Sequence, residues 1–316
     1  MNFESVKLRN GVEMPTVGLG TLGMKSETCK HAIRWALDAG YRLFDTAAVY
    51  ENEKVIGGVL NEYISSRRLQ RSDLFITTKL SPLSMAPDKV KSALKDSLER
   101  FNLDYVDLFL VHSPAAMKYQ GIRTVEDGSV KLEDNWKAME EVYRLGLTKA
   151  IGVANYNASQ IERILEVAAV QPHNCQVECN AFYPQTELQQ FLYKHRLTMT
   201  AYAPLGAPGR RINSAKSTSS SRNGDRVREP ISDPVIVSMA KKYGRTPAQI
   251  LLRWLIQREI AVIPKSGNRA HQQENLDVFD FRIEYRDVQQ INKLDIGRSA
   301  YAQQWQRLKD HPEYPF

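Results

Sequence analysis

The stretch LDYVDLFLVHSP, residues 103–114, is the best starting point for the fold of this 316-residue chain. Residues 105–111 form a short, mostly apolar run of the length that a buried strand has. A polar residue, His112, follows the run directly. The pattern therefore predicts a core strand that carries His112 at its carboxyl end.

The same arrangement recurs on both sides of this stretch, with amphipathic segments of helical period between the apolar runs. Strands are predicted at residues 16–20, 41–45, 74–79, 105–111, 149–153, 174–178, 198–203 and 260–264. Helices are predicted at residues 27–39, 53–66, 88–101, 132–145, 159–168, 186–194 and 247–257. Regular strand–helix alternation predicts an α/β protein with a parallel sheet. Eight such strands fit a (β/α)8 TIM barrel, which typically needs ~250 residues.

Two further segments lie outside the regular strand–helix pattern of this barrel. Asn10-Gly11 is a turn signal and predicts an N-terminal β-hairpin. Residues 206–234 form a long polar loop after strand 7, either a functional lid or a disordered insertion. We expect a single barrel domain over residues 1–316, because that loop lies inside one strand–helix unit.

Composition excludes several classes of protein. Hydrophobic residues make up 42% and charged residues 25% of the chain, close to globular averages. No apolar run reaches the ~18 residues that a membrane span needs, and the first residues lack the apolar core of a signal peptide. Three cysteines are too few for a disulfide framework. We expect a cytoplasmic chain with reduced cysteines and no membrane partner.

The net charge of +7 is concentrated in one place. The segment 210–228 holds six basic residues and one acidic residue, and the rest of the chain is nearly balanced. A broad phosphate-tracking face, which nucleic-acid binding requires, is therefore not expected. The segment is either a solvated loop or a cover for an anionic small molecule.

Two sequence motifs that resemble those of other dinucleotide-binding enzymes are weak evidence for those folds. GLGTLG at residues 18–23 matches the glycine fingerprint of Rossmann folds, and Asp45 ends the next predicted strand. The third glycine should lie in the first turn of a helix, yet Ser26 is the expected cap, three residues later. Tyr50 and Lys54 have the spacing of the Tyr/Lys pair of short-chain dehydrogenases, but that pair lies far later in those chains. A Rossmann-type dehydrogenase remains an alternative.

Four polar residues near the ends of strands two, three and four suggest a specific chemistry. These are Asp45, Lys79, His112 and, five residues after Asp45, Tyr50. Tyrosine is a weak acid, and a neighbouring Lys79 would favour its phenolate and make it a better proton donor. Asp45 would hold the lysine, and a neutral His112 would orient a substrate oxygen. We expect no metal, so a proton donor beside a carbonyl needs hydride from a nicotinamide cofactor.

Over essentially its whole length the chain resembles the aldo-keto reductases, nearest to the aldehyde and aldose reductases. The resemblance rests on these segments: MPTVGLGT, LDAGYRLFDTAAVYENEKVIG, LFITTKL, LDYVDLFLVHSP, GLTKAIGVANYN, CQVECN, TAYAPLG, PAQILLRWLIQ, IPKS and ENLDVFDF. They occur in the family's order, which makes the match specific.

The resemblance implies a catalytic tetrad of Asp45, Tyr50, Lys79 and His112. It also implies that NADPH binds to a barrel without a Rossmann fold, with NADH as a less favoured alternative. The implied cofactor contacts are Gly20, Thr21, Asn155, Gln176, Tyr202, Ala203, Leu205, Lys265, Ser266, His271, Glu274 and Asn275. Tyr202 would stack on the nicotinamide, Asn155 and Gln176 would hold its carboxamide, and Lys265-Ser266 would meet the 2′-phosphate.

The chain departs from the family's pattern in two places. His271 occupies the position where members usually carry a phosphate-binding arginine, and histidine is a weaker, pH-dependent cation. Leu22, Ser81 and Ser113 replace tryptophans of members with a strongly aromatic pocket, which predicts a wider or more polar pocket. The tail after Gly297 would line the substrate entrance or pack on the barrel flank.

The sequence thus predicts an NADP-dependent oxidoreductase that reduces aldehydes and ketones to alcohols, with Tyr50 as proton donor. Its partner would be a small-molecule carbonyl substrate, with no nucleic acid and no membrane, and a monomer is expected. The alternative is a non-catalytic NADP-binding regulatory or structural protein on the same fold. Such members usually lose one of the four tetrad residues, and all four are present here.

Overall fold

The structure is a computed structural model. It describes residues 4–208, 229–297, 299, 301 and 306–315. The basic segment 210–228 and the aromatic residues Trp305 and Phe316 lie outside the described residues.

The core is a parallel sheet of eight strands that closes into a barrel. The strands along the chain are β1 (Ser5–Lys7), β2 (Glu13–Pro15), β3 (Gly18–Gly20), β4 (Leu43–Asp45), β5 (Phe75–Leu80), β6 (Leu108–Val111), β7 (Met117–Gln120), β8 (Arg123–Glu126), β9 (Ile151–Ala154), β10 (Asn174–Glu178), β11 (Thr198–Tyr202) and β12 (Ile260–Val262). The sheet runs β12-β11-β10-β9-β6-β5-β4-β3. Bridges from Val17 to Val262 and from Gly20 to Lys265 join its two ends. The prediction of a (β/α)8 barrel is confirmed, and the Rossmann alternative is wrong.

Helices surround the barrel. They are α1 (Ser26–Ala39), α2 (Glu53–Ser65), α3 (Pro87–Phe101), α4 (Leu132–Arg144), α5 (Ala158–Val167), α6 (Thr186–Lys194), α7 (Pro234–Tyr243), α8 (Pro247–Ile256), α9 (Arg269–Leu276) and α10 (Tyr285–Asn292). The apolar faces of the helices pack against the outer face of the sheet, and together they form one continuous core. Within the described residues, no helix is long and apolar enough to cross a membrane.

The predicted hairpin is present as the antiparallel pair β1–β2, turned at Gly11 with a φ of 88°. Its buried residues Leu8 and Met14 pack with Leu43 and Leu108, close to where the barrel strands begin. The hairpin therefore plugs the amino-terminal end of the barrel and leaves the carboxyl-terminal end for the polar residues.

The glycines of GLGTLG have a packing role. A Cβ on Gly20 would lie 2.6 Å from the carbonyl oxygen of Ile263, and one on Gly18 would overlap the side chain of Leu43. Gly20 is required because β3 must approach the backbone next to β12 closely to close the barrel, and a larger residue at Gly18 would displace Leu43. Gly23 instead has a positive φ of 73° in the turn after β3. Packing and turn geometry thus account for the Rossmann-like spacing.

All eight predicted barrel strands are present, with ends shifted by at most a few residues. Thr246 caps α8 and accepts a hydrogen bond from Gln249 N–H at 3.2 Å. The prediction of Ser26 as a cap is wrong: Ser26 is the first residue of α1 and makes no capping hydrogen bond. Helices α7, α9 and α10 and the hairpin β7–β8 were not predicted. The segments of α9, α10 and the hairpin are short and largely polar, and α7 follows directly after the long polar loop.

Candidate active site

The four tetrad candidates meet at the carboxyl-terminal end of the barrel, which we term the upper rim. Asp45 ends β4, Lys79 is the penultimate residue of β5, and His112 directly follows β6. Tyr50 lies in a single helical turn, Ala48–Tyr50, between β4 and α2. Parallel strands bring these residues together from distant positions because all their carboxyl ends face the same way.

A buried ion pair forms the base of the site. Lys79 Nζ lies 2.6 Å from a carboxylate oxygen of Asp45, and the two residues are 1% and 3% exposed. The ammonium also donates to the carbonyl oxygen of Thr46 at 2.8 Å. Burial lowers the pKa of Lys79, and the Asp45 carboxylate opposes that shift. The pair therefore places a charged lysine in a dry environment, where its field is strong.

Tyr50 and His112 lie above this pair. The Lys79 ammonium is 5.2 Å from the centroid of the Tyr50 ring, and the His112 ring is 5.6 Å from it, edge to face. Desolvation and, next, the Asp45 carboxylate raise the pKa of Tyr50 well above its usual value. The sequence predicted that Lys79 would favour the Tyr50 phenolate, but in this structure desolvation and the Asp45 carboxylate outweigh any such effect on the pKa of Tyr50.

His112 is neutral at physiological pH. Desolvation and the nearby Lys79 lower its pKa to about 3. Its buried Nδ1 has no hydrogen-bond partner among the described residues. A neutral imidazole still carries one N–H donor, so this ring can orient an oxygen without adding charge.

Amide groups from β9 and β10 extend the site. Asn155 donates to the backbone oxygen of His112 at 2.8 Å and accepts from the Tyr202 hydroxyl at 2.8 Å. Gln176 donates to the second carboxylate oxygen of Asp45 at 2.7 Å. Asn155 and Ala203 have φ angles of 62° and 47°, a conformation that costs energy in residues with a Cβ. Backbone strain of this kind is concentrated at functional sites.

A second group of predicted cofactor residues follows β12. Ser266 and Asn275 are buried, whereas Lys265 and His271 are exposed. His271 lies in the first turn of α9, the end of a helix that attracts anions. Glu274 accepts a hydrogen bond from the Thr246 hydroxyl. In this segment the side chains of Lys265 and His271 are therefore exposed, and those of Ser266 and Asn275 are buried.

Three further residues that were predicted to contact the cofactor, Gly20, Thr21 and Leu205, are wholly or partly buried. The Thr21 hydroxyl is fully buried and donates to the backbone oxygen of Asp45 at 2.9 Å, so it holds the end of β4 in place. Gly20 closes the barrel, and Leu205 is partly buried against the core. The structure therefore gives Thr21 and Gly20 structural roles that the resemblance did not indicate.

Of the three residues that the resemblance places at tryptophan positions of other members, Ser113 is buried and Ser81 is partly buried. Ser113 is buried and accepts a hydrogen bond from Ala115 N–H at 3.1 Å, and Ser81 accepts one from Leu83 N–H at 3.2 Å. Leu22 is 44% exposed. Both hydroxyl oxygens act as loop acceptors.

Sequence reasoning missed Asn52, which is 1% exposed. Its side-chain amide donates to the backbone oxygens of Thr21 and Met24 and accepts from the Thr46 hydroxyl. It thereby holds the loop that carries Tyr50. Asn52 could have been recognised from the sequence, because it lies two residues after Tyr50 at the start of a predicted helix.

Cys175 and Cys179 lie close together in the sequence, but they do not form a metal site with other described residues. Cys175 and Cys179 are buried free thiols, and burial raises the pKa of both to about 12. Within the described ranges, no group of His, Cys, Asp and Glu side chains could hold a metal ion.

Comparison with known proteins agrees with this geometry. The model of the aldo/keto reductase family matches residues 16–296. The chain belongs to the aldo/keto reductase family. Aldo-keto reductase family 1 member A1 of Xenopus tropicalis is 38% identical, covering 98% of this chain and 96% of that protein. The mouse protein of the same name is 37% identical, covering 100% and 99%.

Solved structures of the aldo/keto reductase family have the same fold. Aldose reductase from Schistosoma japonicum superimposes with a TM-score of 0.88 at 34% identity, over 99% of this chain and 98% of that one. The Bombyx mori aldo-keto reductase, solved in complex with NADP, gives 0.87 at 33% identity over 100% of both chains. The predicted family and enzyme class, an oxidoreductase, are confirmed.

Proposed function

We propose that this aldo/keto reductase uses NADPH to reduce aldehydes and ketones to alcohols, with Tyr50 as the proton donor. The observation that carries the proposal is the clustering of the Tyr50 ring with the buried Lys79–Asp45 pair, 5.2 Å from the ammonium, and with the ring of His112, 5.6 Å away. A phenol, an imidazole and a buried ammonium are what a carbonyl oxygen needs as it becomes an alkoxide.

The raised pKa of Tyr50 keeps the phenol protonated at physiological pH, so the proton is available when the substrate arrives. An alkoxide is far more basic than a phenolate, and the proton therefore moves from the Tyr50 hydroxyl to the substrate oxygen. Lys79 then stabilises the phenolate that remains. Asp45 keeps the ammonium in place through its 2.6 Å contact.

His112 orients the carbonyl. Because its pKa is about 3, the ring adds no charge that would compete with Tyr50 for the role of acid. Its N–H donates to the carbonyl oxygen, and Asn155 fixes the backbone from which the ring projects. The substrate oxygen would lie about 3 Å from both Tyr50 and His112, as general acid catalysis requires.

The residues present fit a nicotinamide dinucleotide phosphate. Lys265 is exposed and forms no ion pair among the described residues, and it lies beside the buried hydroxyl of Ser266 and close to the first turn of α9. This donor set suits a phosphate group. Asn155, Gln176 and Tyr202 at the upper rim suit the nicotinamide end, which when bound supplies hydride. The structure in complex with NADP belongs to a relative with the same fold.

NADPH is favoured over NADH because the exposed lysine matches the extra phosphate. The preference for NADPH over NADH is reduced by His271, because histidine is a weaker cation than the arginine that other members usually carry there. The remaining predicted contacts, Thr21, Ala203, Leu205, Glu274 and Asn275, belong to the same proposal. We also propose that the enzyme acts as a monomer.

The decisive experiment compares Tyr50→Phe with Tyr193→Phe. Tyr193 is 76% exposed on α6, so its variant is a matched control for loss of a phenolic hydroxyl. Consumption of NADPH is measured with a panel of aldehydes, ketones and sugars, and binding of NADPH by quenching of tryptophan fluorescence.

We expect kcat of Tyr50→Phe to fall by about 10²–10⁴-fold, the usual share of a general acid, with binding of NADPH retained. The control should keep wild-type values. Unchanged turnover in Tyr50→Phe would refute the proposed role. A wild-type protein that binds NADPH but reduces none of the panel would favour the non-catalytic alternative.

A further inference from the structure

A second buried carboxylate lies close to Lys79, on the other face of β5. Glu53 is the first residue of α2, three positions after Tyr50, and it is 1% exposed. One of its oxygens accepts a hydrogen bond from the Thr78 hydroxyl at 2.5 Å, and Thr78 precedes Lys79 in β5, where successive side chains point to opposite faces. Burial lowers the pKa of Lys79, and the negative charges of Asp45 and then of Glu53 oppose that shift. Two carboxylates therefore act on one enclosed ammonium.

Arg100, in the last turn of α3, is the ion-pair partner of this second carboxylate. Its Nε donates to the other Glu53 oxygen at 2.7 Å, and its Nη2 donates to the Ser97 hydroxyl oxygen at 2.9 Å. Among the described residues, no other cation forms an ion pair with Glu53. The Arg100 side chain is 40% exposed. The arginine is therefore partly hydrated while it neutralises a carboxylate that is almost wholly enclosed.

Close packing of α2 against α3 fixes the position of Arg100. A Cβ on Gly57 would lie 2.3 Å from the carbonyl oxygen of Phe101, the residue after Arg100, so this approach of the two helices requires a glycine. The Asn61 side chain donates to the same oxygen at 2.8 Å and to the Gly57 oxygen at 2.7 Å. These contacts hold the end of α3 on α2 and bring the guanidinium next to Glu53.

The number of buried charges matters because negative charge develops on the reacting oxygens. With Arg100 present, the carboxylates of Asp45 and Glu53 are balanced by two cations. Without it, one excess negative charge would remain beside the site, in a medium of low dielectric constant where charges interact over long distances. That charge would oppose formation of the Tyr50 phenolate and of the substrate alkoxide.

Resting on the proposed function, we propose that Arg100 is a positioning residue for carbonyl reduction, which acts through Glu53. By neutralising that carboxylate, it leaves the Lys79 ammonium available to stabilise the negative charge on Tyr50. The role is electrostatic, so it requires a cation at this position but not an arginine in particular.

The experiment measures the rate constant of carbonyl reduction in a single turnover, because release of product does not enter that rate. Enzyme with bound NADPH is mixed with an aldehyde that the wild-type protein reduces, and the loss of NADPH absorbance is followed. We expect the rate constant of Arg100→Met to be about 3-fold lower, the effect of one partly screened charge, with binding of NADPH unchanged. Arg100→Lys keeps the cation and should retain the wild-type rate.

The double variant Arg100→Met/Glu53→Gln separates charge from packing. It removes one cation and one carboxylate together, and the new amide oxygen can still accept from the Thr78 hydroxyl. Its rate constant should return to near the wild-type value. Arg34→Met is the matched control: Arg34 pairs with Glu62 of α2 at 2.5 Å, but the Glu62 side chain is 54% exposed, so solvent screens the charge that is left. We expect the wild-type rate in this control.

A wild-type rate constant in Arg100→Met would overturn the proposal. A double variant as slow as Arg100→Met would do the same, because it would show that Arg100 acts through packing. Circular dichroism confirms folding, and Arg100→Gln replaces Arg100→Met if that variant does not fold. These outcomes differ from failure of the proposed function, in which Tyr50→Phe reduces the aldehyde as fast as the wild type or the wild-type protein reduces none.

Discussion

The barrel buries one carboxylate beside a cation at each of its two ends, and the two ends use the pair differently. At the upper rim Asp45 contacts Lys79 at 2.6 Å. At the amino-terminal end, which we term the lower rim, Asp107 precedes β6 and contacts Arg71 at 2.7 Å and Lys149 at 3.1 Å. Both carboxylates are almost completely buried.

The difference lies in what surrounds each pair. At the lower rim two cations share one carboxylate, which also accepts from Ile76 N–H, and both cations stack on the Tyr105 ring. At the upper rim a single ammonium is fully enclosed, and strongly shifted pKa values follow at Tyr50 and His112. The ion pairs of Asp107 have all their partners and stabilise the barrel. The Asp45–Lys79 pair lies beside two titratable groups with shifted pKa values, which is typical of an active site.

The largest expected effect belongs to the upper rim. In the proposed mechanism Lys79 stabilises the Tyr50 phenolate, and Lys79→Met removes that charge, so kcat should fall by about 10²–10⁴-fold. The measurement is steady-state consumption of NADPH, with circular dichroism to confirm folding. If a folded Lys79→Met variant kept its turnover, the contrast between the two rims would be lost.

The next effect belongs to the lower rim. Asp107→Asn leaves two cations without their shared carboxylate, and the free energy of unfolding should fall by about 3 kcal/mol, as for other broken buried pairs. Turnover per folded molecule should stay at the wild-type level. Urea denaturation and kinetics below the transition check this, and a selective loss of kcat would show that the lower rim is coupled to the site.

The third prediction concerns pH. Since the pKa of His112 is lowered to about 3 in the folded protein from its ordinary value of 6.5, the unfolded chain binds its proton first as pH falls. The contribution of His112 to stability is therefore complete above about pH 6.5 and declines from there towards pH 3. His112→Gln should flatten this decline in urea denaturation measured from pH 7 to pH 4.

The same shift predicts a direct observation. The His112 imidazole should stay neutral throughout pH 5–9 in histidine-labelled NMR spectra, with its signal assigned by its absence in His112→Gln. A titration near pH 6.5 would show that the ring is solvated and that the upper rim is less enclosed than the structure indicates.

The smallest effect distinguishes the two cations of the lower rim. The Lys149 side chain is 40% exposed, and Arg71 remains on Asp107 when it is removed. Lys149→Met should therefore lower the free energy of unfolding by less than about 1 kcal/mol, as for exposed ion pairs. A loss as large as that of Asp107→Asn would mean that Lys149, and not Arg71, neutralises the buried carboxylate.

Much of the site could be predicted because each polar residue follows its own apolar strand. Asp45, Lys79 and His112 are found at strand ends, as the pattern indicates, and Tyr50 follows in a short turn. The pKa of Tyr50 could not be predicted, because it depends on desolvation and on the distance from Asp45 to the phenol. Neither quantity is encoded in spacing along the chain.

The barrel and the residues at its upper rim could be predicted from the amino-acid sequence, because apolar period and strand–helix alternation are local properties that parallel pairing converts into topology. The partner of each polar group could be found only in the folded chain. Gln176 on Asp45 and Ser299 on Glu178 join residues more than a hundred positions apart. Such contacts depend on how closely packed elements approach in three dimensions, and no local pattern specifies that approach.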